Sequence, residues 1–214
     1  MIKIDTFTFN PFMENTYVLS DDTGEAVVVD PGCYEKHEEE ELASFIAENN
    51  LTVKLLLNTH GHIDHVLGNA FVQTHYKVPF WIGKEDLATL QSVEAYASNY
   101  GFPKYTAISP DHFLQEGDTV SFGNSVLDVL FVPGHSAGHI AFVNEEQRLC
   151  IGGDVLFQQS IGRTDLPGGN FETLIQSINN KFFPLPDDTV VYSGHGPSTT
   201  IGHEKAHNPF CAIK

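Results

Sequence analysis

Along the first third of the chain, apolar positions fall in short blocks of strand length. IKIDTFTF (2–9), TYVLS (16–20) and EAVVVD (25–30) are apolar or alternating runs separated by the turn-like NPFMEN and DDTG, and the third closes at Pro31 and Gly32. The spacing then changes. HEEEELASFIAEN (37–49) sets Leu42, Phe45 and Ile46 at helical intervals, with glutamates in the first turn, where the positive end of a helix favours them. Glutamates this closely spaced cannot converge on one ion, so they read as a solvated helix start. VKLLLN (53–58) predicts a buried strand, followed by a helix from about Asp64 to Tyr76. A second helix is expected over 84–99, marked by Leu87, Leu90, Val93 and Ala97 and stopped by GFP. This insert is expected to overhang whatever site the neighbouring loops build.

In the second half, VLDVLFV (126–132), HIAFVN (139–144), RLCIGG (148–153) and TVVYS (189–193) read as strands. Phe171, Leu174, Ile175, Ile178 and Phe182 mark a helix before the last of them. No low-complexity linker parts the halves, so the pattern predicts one domain over residues 1–214, with strands and helices in layers.

Composition narrows the function classes. A hydrophobic content of 41% in 214 residues allows a substantial core. The N-terminal MIKIDTFTFN has no long apolar h-region and the apolar runs are strand-sized, which makes cytoplasm the expected location and argues against a membrane span. Cys33, Cys150 and Cys211 are odd in number and far apart, so they are expected to be free thiols. With 11 Lys+Arg against 28 Asp+Glu the formal net charge is -17, an unfavourable field for nucleic acid or an anionic membrane. A small molecule is the expected partner; neither pattern nor charge specifies an oligomeric state.

Four of the apolar runs end in metal-competent residues: LLLNTH at His60, VLFVPGH at His135, LCIGGD at Asp154 and VVYSGH at His195. Strand ends in packed sheets can bring such residues into one crevice. Within THGHIDH (59–65), His60 and His62 share a side of an extended chain, whereas Asp64 and His65 sit where it bends into a helix. The motif therefore divides between two ions: His60 and His62, joined by His135, at one, and Asp64 and His65, joined by His195, at the other. Asp154, with two carboxylate oxygens, is the expected bridge, and a place remains between the ions for water or hydroxide, as a catalytic site requires. Two divalent ions set against Asp64, Asp154 and a hydroxide leave about one positive charge, enough to draw a small anionic substrate into an acidic protein. His139 is expected to support the ligands from behind. A closed, water-free metal module without enzymatic activity is a further alternative.

THGHIDH, PGHSAGH (133–139), GGD (152–154) and SGHG (193–196) together resemble the metallo-beta-lactamase-fold hydrolases over essentially the whole chain. Within them the pattern is similar to the short bacterial members of the glyoxalase II, or hydroxyacylglutathione hydrolase, group. The resemblance implies an α+β four-layer αββα sandwich, with metals at one edge between the sheets. It implies metal site 1 from His60, His62, His135 and Asp154, and metal site 2 from Asp64, His65, His195 and Asp154. Zinc is the first expectation for both ions, iron or manganese the alternatives. The implied activity is hydrolysis of a thioester, S-lactoylglutathione or a related hydroxyacyl thioester, by metal-bound hydroxide positioned by Asp64 and Asp154. Three departures matter. Where beta-lactamases carry a ligand cysteine this chain has Asp154, and Cys150 falls inside a strand, as a buried thiol would. The helical C-terminal substrate domain of full glyoxalase II has no counterpart in 1–214. In DVLFQQSIGRTDLPGGN (154–170), Arg163 takes the basic position expected to meet a substrate carboxylate, but it can equally bridge to Asp165. The runner-up family, which can also carry GRTD, is the persulfide dioxygenases, with one iron on His60, His135 and Asp154.

Overall fold

The computed structural model describes residues 1–213. Its first sheet takes the strands in chain order: β1 (Lys3–Phe9), β2 (Glu14–Ser20), β3 (Glu25–Val29), β4 (Thr52–Asn58), β5 (Phe80–Gly83) and β6 (His112–Leu114). The first three pair antiparallel, and β3 to β6 run parallel. The second sheet is built from β7 (Thr119–Phe122), β8 (Ser125–Phe131), β9 (Ile140–Asn144), β10 (Leu149–Gly153), β13 (Val190–Ser193) and β14 (Thr199–Thr200). A small hairpin of β11 (Leu156–Phe157) and β12 (Ser160–Ile161) follows β10.

Side-chain alternation in the central strands creates the layers. Along β3, Ala26 and Val28 turn outward with Leu56 of β4 and Phe80 and Ile82 of β5, and pack on α1 (Lys36–Glu48), α2 (Ile63–Val66), α3 (Asn69–Tyr76) and α4 (Leu87–Tyr96) through Leu42, Val66, Val72 and Leu90. Val27 and Val29 point the other way, with Leu55 and Leu57, onto Leu127, Val129, Phe142 and Ile151 of the second sheet. The far face of that sheet, with Val143, Cys150 and Val191, is covered by Leu174 of α5 (Phe171–Ser177), Phe182 of the wider turn that continues it, and Ile201 of α6 (Ile201–His207). Three apolar layers lie between helices, sheet, sheet and helices: an αββα sandwich. The burial of Cys33, Cys150 and Cys211, none in a disulfide, matches their expected state.

One expected element differs. The helix from Asp64 to Tyr76 is two, α2 and α3, because the backbone turns at Leu67 and Gly68. Gly68 lies so close to the loop after β3 that its N–H donates to Pro31 O at 2.7 Å, and a Cβ there would meet Pro31 O at 2.9 Å. No described helix is long and apolar enough to cross a membrane.

Strand direction gathers the chemistry. β8 and β10 both pair antiparallel with β9, and β10 pairs parallel with β13, so the C-terminal ends of all three lie along one edge. His135, Asp154 and His195 follow those ends. The Ile140 N–H donates to Thr59 O at 2.9 Å and ties the loop after β4 to the same edge.

Candidate metal centre

At this edge the structure places the ligand atoms of His60, His62 and His135 within 4.8 Å of one another, and those of Asp64, His65 and His195 likewise. Asp154 stands between the two groups. Its Oδ1 is 3.5 Å from His65 Nε2, and its Oδ2 is 3.5 Å from His135 Nε2 and 3.6 Å from His195 Nε2. His60 and His65, one from each group, have ring centroids 4.1 Å apart.

The hydrogen-bond partners aim the rings. Thr59 Oγ1 donates its one proton to Asp30 Oδ2 at 2.6 Å, so towards His60 Nδ1, 3.0 Å away, it acts as acceptor. His65 Nδ1 donates to Asp30 Oδ2 at 3.1 Å, His135 Nδ1 to Arg163 O at 2.8 Å, and His195 Nδ1 to Phe12 O at 3.1 Å. With Nδ1 engaged by these acceptors, each of the four rings turns Nε2 toward the centre, the nitrogen that a cation would take in place of a proton. His62 is turned the other way and offers Nδ1, 2.8 Å from His135 Nε2.

The residues fit divalent cations on three counts. His60 Nε2, His65 Nε2 and Asp154 Oδ1 are buried without a hydrogen-bond partner, a costly arrangement unless an ion takes up their lone pairs. Burial, reinforced by neighbouring imidazoles, holds His60 well below the usual histidine range and His62 down at about 3, in the neutral form that ligation needs. Burial alone would raise the pKa of Asp64 and Asp154 and lower that of His65, but the three face one another: the carboxylates push His65 well above the usual histidine range, and the charge on His65 keeps them ionised, a positive charge that a cation bound there would replace.

Two carboxylates outside the expected set hold the loops. Asp30, 1% exposed, accepts from Thr59 N, Thr59 Oγ1, Asn58 Nδ2 and His65 Nδ1 and so underlies both ligand groups. It closes VVVD, a fifth apolar run ending in a ligand-type side chain, and that pattern is the signal by which it was legible. Asp86, fully buried just before α4, accepts from the backbone N–H of Gly61 and, at 2.9 Å, of Gly138. Gly61 lies between His60 and His62, and Gly138 between His135 and His139. A Cβ at Gly61 would meet Leu90 N of α4 at 2.6 Å, so α4 rests directly on backbone. Asp86→Ala is expected to strand two buried donors, lowering stability by about 2–4 kcal/mol and Tm by roughly 5–10 °C in a thermal melt. Asp86→Asn, which keeps one acceptor, should lose less.

His139 lies behind the ligands, in neither group. Its ring stacks on His60 with centroids 4.7 Å apart, and its Nε2 accepts from the Asp154 N–H at 3.1 Å. Arg163 lines the adjoining cavity while its Nε and Nη2 donate to the two oxygens of Asp165 at 2.7 and 2.8 Å. The His195 loop is held by the first sheet: Asn15 Nδ2 donates to Ser193 O and Gly196 O, and Tyr17 Oη to Ser193 O. As expected, the 84–99 insert overhangs the centre, with Ala88, Ser92 and Tyr96 on the cavity wall.

Comparison with known proteins agrees with this architecture. The model of the Metallo-beta-lactamase superfamily matches residues 9–195. Hydroxyacylglutathione hydrolase GloC of Haemophilus influenzae is 41% identical, with the whole of each chain covered. Among solved structures, the BLEG-1 B3 metallo-beta-lactamase superposes with a TM-score of 0.89 at 38% identity, covering 97% of this chain and 99% of that one. TTHA1623 in a di-iron-bound form gives 0.85 at 35% identity, covering 96% and 99%. Two packed sheets, the strand-end clusters of histidine and aspartate and a family match over most of its length together place this chain in the metallo-beta-lactamase superfamily, as a hydrolase closely related to the glyoxalase II-like bacterial proteins.

Proposed function

We propose that the protein hydrolyses thioesters of small hydroxyacyl groups, with His60, His62 and His135 holding one divalent ion, Asp64, His65 and His195 a second, and Asp154 shared between them. The observation that carries this reading is Asp154, whose two oxygens face both ligand groups at 3.5–3.6 Å on the floor of an open cavity. Full-length similarity to a hydroxyacylglutathione hydrolase supports the reaction class.

Divalent ions held there supply Lewis acidity and lower the pKa of water toward about 7. The chain's own part is positioning. Asp64 and Asp154, kept ionised, accept hydrogen bonds from the attacking water and fix its direction. The histidine rings, locked by Thr59, Asp30, Arg163 O and Phe12 O, keep the ligand geometry through turnover. In the reaction a C–O bond forms, the C–S bond breaks, and the proton lost by water ends on the thiolate sulfur. The 84–99 insert limits access of bulk water.

The test strips metal with a chelator and verifies its loss. Turnover of S-lactoylglutathione, of further hydroxyacyl thioesters and of a chromogenic beta-lactam is then measured before and after zinc, iron or manganese is restored. Thioester turnover should vanish on stripping, return with about two metals per chain and exceed beta-lactam turnover. Unchanged rates in metal-free protein, or oxygen uptake with a persulfide on one iron, would overturn the reading.

A further inference from the structure

The cavity beside the metal centre measures about 870 Å³, far more than a lactoyl group fills, so most of its wall meets the thiol arm of the substrate. Outside the ligand groups, Glu85 and Arg163 are the two charged side chains among the described residues that line it. Arg163 is matched by Asp165 through its Nε and Nη2. Glu85, exposed, stands at the start of the overhang, in the turn that leads into α4. Both residues are fixed to the loop that carries His135. A Cβ at Gly138 would run into the backbone of Glu85 and Asp86, Asp86 itself accepts from the Gly138 N–H, and Arg163 O accepts from His135 Nδ1.

The overhang presents acceptors. Glu85, Thr89, Ser92 and Tyr96 recur at helical intervals, so they share a face, and all of them line the cavity. Thr89 Oγ1 gives its proton to Asp86 Oδ1 at 3.1 Å and Ser92 Oγ its own to Thr89 O at 2.7 Å, which leaves both hydroxyls with lone pairs alone for a ligand. With the Glu85 carboxylate they form an acceptor row, suited to the N–H and ammonium groups of a peptide-like arm. The remaining hydroxyls on the wall, of Tyr96, Tyr100 and Ser160, can each donate or accept and so favour neither sign of charge. The centre, loaded with two divalent ions, carries about one positive charge once Asp64, Asp154 and a hydroxide are counted; it draws carboxylates and repels ammonium groups. An ammonium on the arm is thereby directed to the one negative charge on the wall outside the ligand groups, Glu85.

Resting on the thioester-hydrolase reading above, we propose that Glu85 is a specificity-determining residue that receives an ammonium group carried by the thiol arm, such as the γ-glutamyl ammonium of a glutathione thioester. The test compares S-lactoylglutathione with its des-amino analogue, in which hydrogen replaces that ammonium, on metal-loaded protein of verified content. The order of the two substrates carries the sign: attraction by the centre alone favours the des-amino arm, more anionic by one charge, whereas Glu85 favours the native arm. The expected kcat/KM is about fivefold higher for S-lactoylglutathione, through KM and not kcat, and the gap narrows as salt is raised. Glu85→Gln should remove this preference and Glu85→Lys reverse it; the site is exposed, so both substitutions are compatible with folding. As a second readout, calorimetry compares the same two arms as unreactive S-methyl thioethers, with the native arm about fivefold tighter in the wild type and no tighter in Glu85→Gln. An equal or reversed preference in the wild type, or a gap that survives in Glu85→Gln, would overturn the proposal. If neither ester is turned over, thioester hydrolysis itself fails, and the calorimetric comparison still decides the role of Glu85: tighter binding of the native arm that is lost in Glu85→Gln upholds it, and any other order overturns it.

Discussion

Asp154→Ala is expected to abolish most thioester turnover, by about a thousandfold, the rate equivalent of roughly 4 kcal/mol of transition-state stabilisation. The size follows from position. One carboxylate faces His65 through Oδ1 and both His135 and His195 through Oδ2, so its loss removes a ligand from both proposed sites and leaves a cluster of imidazoles with less negative charge to balance two cations. Asp154→Asn keeps shape and one oxygen but not charge, and should recover only a small part of the rate. The measurement pairs kcat with metal per chain. Near-normal turnover at full metal content in Asp154→Ala would remove this residue from the centre.

Asp30→Ala is the second large effect, expected in both stability and metal affinity although Asp30 itself belongs behind the ligands. Four donors converge on its carboxylate, at 2.7 Å from Thr59 N, 2.6 Å from Thr59 Oγ1, 3.2 Å from Asn58 Nδ2 and 3.1 Å from His65 Nδ1. Truncation strands them in the interior, costing about 3–5 kcal/mol and lowering Tm by roughly 10 °C. It also releases the proton positions on His60 and His65, one ligand of each group, so metal affinity should fall about 10–100-fold. Asp30→Asn is the informative companion: an amide tolerates the left-handed backbone there (φ 49°) but turns donors towards donors, and should lose affinity nearly as far. Calorimetric or chelator-competition titration of metal, alongside a melt, separates the two effects; wild-type metal affinity in Asp30→Asn would show that the proton positions are set elsewhere.

The layered architecture and the convergence of THGHIDH with His135, Asp154 and His195 were legible because buried strands are nearly all apolar and their ends break abruptly into histidine or aspartate. Other parts lacked such contrast. β5 is four residues, FWIG, following a Pro, and β6 and β7 are three and four residues long, too short for periodicity to register. The break at Gly68 depends on how near the loop after β3 approaches, a tertiary fact invisible to local spacing. Asp86 sits in KED, where a charged triplet looks like an ordinary solvated helix entry; only folding shows it pointing inward at two backbone amides. Arg163 stood open between a substrate carboxylate and a bridge to Asp165, two positions along the same loop, and the fold makes the bridge.

The grip of Asn15 and Tyr17 on the His195 loop joins positions 178 and 176 apart in the chain. Closing so wide a span late is entropically slow. Under the two-ion reading proposed above, a growing polypeptide has delivered His60, His62, His135 and Asp154 before residues 190–196 leave the ribosome and dock against the first hairpin, so the first set is complete before the second. Maturation is thereby expected to be stepwise, and a cell short of metal would accumulate half-loaded molecules whose final segment exchanges and is cleaved faster than the rest.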